Sequence, residues 1–88
     1  MKTAEFTIQN ELGLHARPAN KLVNIVSASK SKVFFKKGGQ RVNAKSILGV
    51  ILLQAEKGST ITVEVDGEDE DRVIRDVKEL IDNKFGED

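Results

Sequence analysis

The only histidine among the 88 residues lies in the run Gly13-Leu14-His15-Ala16-Arg17-Pro18-Ala19. A neutral imidazole nitrogen is a nucleophile, and a guanidinium two residues further on can pair with an anion through charge-assisted hydrogen bonds. The run reads as the mouth of a helix, where N–H groups lacking intrahelical acceptors and the positive end of the helix dipole attract phosphate. The chemistry that suits these residue types is reversible attachment of a phosphoryl group to His15. Read alone, the same histidine serves equally well as a structural side chain, and spacing does not separate the two.

Other catalytic chemistries find fewer parts. A serine–histidine–acid triad needs a nucleophile elbow, and no such pattern occurs. Lys37-Gly38-Gly39 is a hairpin tip and not a phosphate-binding glycine loop. There are no cysteines, so no disulfide or thiolate metal site is expected, and one histidine argues against a histidine-built zinc site. No metal and no cofactor are expected. Residues 2–11 alternate instead of forming a charged-then-apolar leader, and no apolar run is long enough to insert in a membrane. A cytoplasmic protein is expected.

The formal charge is zero but unevenly spread. Residues 1–57 hold ten basic and three acidic side chains, while residues 58–88 hold four basic and eleven acidic ones. A cationic face around Arg17, Lys21 and Lys45 would suit an acidic protein partner. Nucleic acid is a poor fit, because tyrosine and tryptophan are absent and no basic cluster is interleaved with aromatics.

The elements that must position His15 follow from periodicity. Residues 2–9 alternate, with Ala4, Phe6 and Ile8 on one face, which predicts a half-buried strand. Residues 10–15 loop. Ala16, Ala19, Leu22, Val23 and Val26 form an apolar stripe, predicting an amphipathic helix from Ala16 to Ser27. Because Arg17 precedes proline, an irregular first turn is expected. Val33–Lys37 and Gln40–Asn43 flank Gly38-Gly39 as a hairpin. Ser46 caps a short helix over Ile47–Leu53, ended by Lys57-Gly58. In that helix Val50 and Leu53 are assigned to the core and Ile47, Leu48 and Ile51 to the surface, where an apolar patch beside the histidine would seat a partner. Thr60–Asp66 alternates as a strand. Glu68–Asp71 open a last helix with Val73, Val77, Leu80 and Ile81 inward and Lys78 and Lys84 near its end. The order βαββαβα predicts an α+β open-faced sandwich, a four-stranded antiparallel sheet covered on one face by three helices, in one domain spanning residues 1–88.

Leu12-Gly13-Leu14-His15-Ala16-Arg17-Pro18-Ala19 resembles the phosphorylation motif of the HPr family, histidine-containing phosphocarriers of the bacterial phosphoenolpyruvate-dependent sugar phosphotransferase system. Asn43-Ala44-Lys45-Ser46-Ile47-Leu48-Gly49-Val50, followed by Ala55-Glu56-Lys57-Gly58, resembles the segment bearing the regulatory serine of that family. The resemblance runs along nearly the whole chain and implies a carrier that is not an enzyme in its own right. His15 would accept phosphate on Nδ1 from enzyme I and pass it to IIA domains of sugar permeases. Ala16, Arg17 and Pro18 would cradle it. Ser46 would be phosphorylated by an HPr kinase/phosphorylase, and the product would join a LacI-type repressor. The implied docking surface comprises Asn20, Lys21, Asn24, Ser27, Lys45, Ile47, Leu48, Gly49, Ile51 and Leu52. A monomer is expected for a shuttle that presents one face to several partners. Two rivals share the fold: a carrier of the nitrogen-related branch, suggested by the tail Phe85-Gly86-Glu87-Asp88, and a regulatory binding module centred on Ser46.

Overall fold

Alternating side chains on four short segments assemble one antiparallel sheet with an apolar and a polar face. The computed structural model describes residues 1–86; Glu87 and Asp88 of the tail motif lie outside the described residues. The elements are β1 (Lys2–Thr7), α1 (Ala16–Ser27), β2 (Lys32–Lys37), β3 (Gln40–Asn43), α2 (Ile47–Leu52), β4 (Thr60–Asp66) and α3 (Glu70–Asp82), closed by a 3-10 turn over Lys84–Gly86. The strands lie in the order β1-β4-β2-β3, all pairs antiparallel. This is the α+β open-faced sandwich that the element order predicts.

Register sorts the faces. Ala4, Val63, Phe35 and Val42 form one row across the four strands. This row faces the helices, and Val63 and Phe35 are fully buried. The next row, Thr3, Glu64, Phe34 and Asn43, faces the open side. There Arg41 lies 3.7 Å over the Phe34 ring and donates to Glu64 at 2.9 Å. The helices fill the other face, with Leu22 and Val26 of α1, Val50 of α2 and Val77 and Ile81 of α3 almost entirely buried. Each such side chain contributes roughly 1.5–3 kcal/mol through lost apolar exposure.

Several expectations shift in detail. Ala16 is exposed, and Pro18 is buried in its place. The first turn of α1 is helical from Ala16 onward, because the clash of a proline ring with the carbonyl four residues back falls on Leu14, outside the helix. In α2, Ile51 is half-buried against the core and Leu52 is exposed. The helix stops at Leu52 and not at Lys57-Gly58, since Gln54 adopts a left-handed φ of 52° and turns the chain. Lys84 falls beyond α3, and Lys78 pairs with Asp82 at 2.8 Å, which holds its ammonium pKa above the usual lysine range.

The largest departure is Phe85. Its side chain is completely buried although its backbone, like that of Lys84, is left-handed. Lys21 of α1 donates through Nζ to the Phe85 carbonyl. Burial of a whole aromatic side chain offsets the roughly 1–3 kcal/mol that such backbone costs.

Candidate functional site

Two loops meet beneath His15. Residues 8–15 leave β1 and enter α1, and residues 53–59 join α2 to β4. They are laced together by backbone hydrogen bonds: Ile8 N–H to Ser59 O at 2.9 Å, Gly58 N–H to Ile8 O at 2.8 Å and Leu14 N–H to Ala55 O at 2.8 Å. Gly13 must be glycine for two reasons. Its φ is +66°, and an added Cβ would sit 2.4 Å from the Ala55 oxygen and 2.8 Å from Glu56 Cα. At the surface, Lys57 donates to Glu11, and this bond with the neighbouring positive charge holds the Glu11 carboxyl below the usual carboxylate range.

His15 is the N-cap of α1, with extended backbone and a carbonyl that accepts the first helical bond, from Ala19 N–H at 3.0 Å. The ring is half-buried. The N–H groups of Ala16 and Arg17 have no acceptor within the helix, and Pro18 has no N–H to offer. No acidic residue lies in the first turn. Arg17 is exposed and forms no ion pair among the described residues. The start of α1 thus carries an imidazole at its N-cap, helix N-terminal amides without intrahelical acceptors and an arginine two residues on, with no acid in the first turn.

A depression of about 370 Å³ opens beside the ring, lined by Leu12, Leu14, Ile51, Gln54, Ala55 and Glu56 together with His15. Leu12 is 74% exposed at its rim and Leu48, on α2, is 66% exposed. Ile47 and Leu52 add further exposed apolar surface on α2. Along α1 Arg17, Asn20, Asn24 and Ser27 recur at helical spacing and all are exposed. Lys21, by contrast, is half-buried with its ammonium on the Phe85 carbonyl, and Lys45 donates to the Ser29 carbonyl at 3.3 Å. Gly49 lies inside α2, where a Cβ would meet Ser46 and Val42 at 3.3 Å.

The chain as a whole is similar to known proteins. The family model for the PTS HPr component phosphorylation site matches residues 2–83. The chain belongs to the HPr family of phosphocarrier proteins. It is 48% identical over 84 residues to the phosphocarrier protein HPr of Xylella fastidiosa (strain Temecula1), covering 96% of this chain and 94% of that one. It is 37% identical over 83 residues to the phosphocarrier protein NPr of Shewanella violacea, covering 94% and 91%. A crystal structure of HPr from Thermoanaerobacter tengcongensis superposes with a TM-score of 0.96 at 39% identity, covering 100% and 99% of the two chains.

In this HPr-family chain Ser46 is the N-cap of α2: its Oγ accepts from Gly49 N–H at 3.1 Å, worth about 1 kcal/mol over alanine. Leu12 and the Gly13–Ala55 contact escaped the sequence reading. The spacing of Asn10 and Gly13 is a turn signal that could have located the loop's bend, whereas nothing local marks which distant carbonyl the glycine meets.

Proposed function

We propose that His15 is the phosphoryl acceptor of a sugar-branch phosphocarrier, taking the group on Nδ1 from phosphorylated enzyme I and passing it to IIA domains of sugar permeases. The supporting observation is that α1 begins with an imidazole and, two residues on, an arginine that forms no ion pair among the described residues, and that its first turn carries no acid. The neutral ring nitrogen forms a P–N bond as the donor's bond to phosphorus breaks, and no proton leaves the attacking nitrogen. Arg17 and the amides of Ala16 and Arg17 stabilise the resulting dianion, with Pro18 completing the cradle. Leu12, Ile47, Leu48 and Leu52 supply apolar docking surface, flanked by Asn20, Lys21, Asn24, Ser27, Lys45, Gly49 and Ile51. The whole chain acts as one cytoplasmic, monomeric carrier domain, consumed and regenerated by its partners.

Intact-mass analysis after incubation with phosphoenolpyruvate and sugar-branch enzyme I tests this reading. One acid-labile phosphate is expected on the wild type and none on His15→Ala; phosphate on both, or on neither, overturns it. The higher identity to proteins named HPr supports the sugar branch over the nitrogen branch, for which nitrogen-branch enzyme I would be the better donor.

Ser46 is the regulatory site in this reading, the target of an HPr kinase/phosphorylase, with the phosphoserine form joining a LacI-type repressor. A phosphate on a helix N-cap is tolerated by the fold, so its charge acts on docking to acidic partners. Ser46→Asp is expected to slow transfer to His15; an unchanged rate would sink the regulatory role.

A further inference from the structure

The peptide plane between Gly13 and Leu14 is held at both ends. Its oxygen accepts from Asn10 Nδ2 at 2.8 Å, and its N–H donates to the Ala55 carbonyl at 2.8 Å. His15 follows directly and is held from the other side by the first bond of α1. Asn10 is 1% exposed, and its own carbonyl accepts from Gly13 N–H at 3.2 Å, so residues 10–13 close into one turn. Position 10 thus demands a side chain that donates to a carbonyl three residues ahead. Aspartate offers no donor at neutral pH and would set a carboxylate against that oxygen. Alanine removes the donor from a buried turn. Any freedom gained by the plane passes straight to the His15 Cα, and transfer between two proteins is sensitive to displacement of the nucleophile.

We propose that Asn10 is a positioning residue for phosphoryl transfer, its amide acting through the Gly13–Leu14 peptide to set the place and direction of the His15 ring. The inference rests on His15 being the phosphoryl acceptor. Its test compares Asn10→Ala and Asn10→Asp with the wild type in transfer from phosphorylated enzyme I, resolving kcat from KM, and records the ring ¹⁵N and ¹H signals of His15 by NMR. Both variants are expected to lose about tenfold in kcat with KM changed less than about twofold, since orientation and not docking is impaired. The ring signals are expected to shift. Val77→Ala, a core change in α3 remote from the site, should move neither kcat nor the ring signals while it remains folded. Folded Asn10 variants with wild-type kcat and ring signals overturn the proposal, as does a loss confined to KM. Asn10→Ser, which keeps a shorter donor, carries the test if the other two fail to fold: an intermediate kcat supports the proposal and a wild-type value overturns it. Failure of the wild type to take phosphate on His15 removes the acceptor reading itself, and the ring signals, which need no phosphate, still decide whether Asn10 places the ring.

Discussion

The N-termini of α1 and α3 both present the positive end of a helix dipole and are furnished in opposite ways. Helix α3 starts at Asp69, with Glu70 and Asp71 in its first turn. The Asp69 carboxylate accepts from the Ser31 hydroxyl, from Lys30 N–H at 2.9 Å and from Arg72 at 2.9 Å. Those bonds, the Ser31 hydroxyl foremost, hold its pKa far below the usual carboxylate range. Glu70 in turn accepts from Gly67 N–H at 3.3 Å and pairs with the N-terminal ammonium at 3.4 Å. Helix α1 has no acid in its first turn and an arginine without an ion pair among the described residues. One terminus consumes its positive potential inside the fold and locks the α1–β2 loop to the β4–α3 turn. The other has no acid in its first turn to offset that potential beside the His15 imidazole. Stability and ligand capacity are therefore separated to different ends of the molecule.

Breaking the open end has the largest expected effect. Gly13→Ala forces a left-handed backbone on alanine and drives its Cβ into the Ala55 oxygen. A loss of about 2 kcal/mol or more in urea unfolding is expected, together with impaired phosphoryl transfer. An unchanged unfolding midpoint would mean that the two loops separate freely.

Breaking the closed end is a matter of pH. The folded-state pKa of Asp69 is depressed, so its contribution is complete above its unfolded value of about 3.9 and is lost as pH falls toward the folded value. Asp69→Asn should therefore melt below wild type at pH 7, with the gap narrowing from about pH 4 downward. A gap independent of pH would assign the clip to shape and not to charge.

Exchanging the two designs sharpens the comparison. Ala16→Glu gives α1 an acidic first turn like that of α3, at an exposed position. It should raise stability by about 0.3–1 kcal/mol through the dipole and lower phosphoryl transfer about tenfold by like-charge repulsion. Opposite signs for stability and transfer are the signature; equal signs would dissolve the distinction drawn between the termini.

The smallest effect is local. Gln54 is exposed with a φ of 52°, a conformation glycine adopts without steric cost. Gln54→Gly should stabilise the protein by about 0.5–1 kcal/mol in denaturant titration. A net loss would show that the added chain entropy outweighs the relieved strain.

The strands and helices were legible because they rest on local repetition. Ile61, Val63 and Val65 alternate in sequence and are buried together, and the stripe Leu22, Val23, Val26 places α1 correctly. The phase of α2 was legible only in part. Ile47-Leu48-Gly49-Val50-Ile51-Leu52-Leu53 is apolar all round, so periodicity cannot say which side meets the core. Packing against α1 and β3 assigned Ile51 inward and Leu52 outward. The sequence places Phe85 in a tail, because two of the three left-handed residues of its turn, Lys84 and Phe85, are not glycine and only Gly86 marks the bend.

What the sequence by itself determined is the sheet's two faces, the helix mouth at His15 and the absence of acids beside it, since charge and side-chain period act between near neighbours. What only the tertiary structure decided is the set of distant partners: Ala55 over Gly13, Phe85 beneath Lys21, Ser31 on Asp69. Those contacts join segments far apart in the chain, and their energies depend on a carbonyl, ring or hydroxyl arriving within hydrogen-bond or packing distance. No local pattern encodes that arrival; it follows only when the whole core closes.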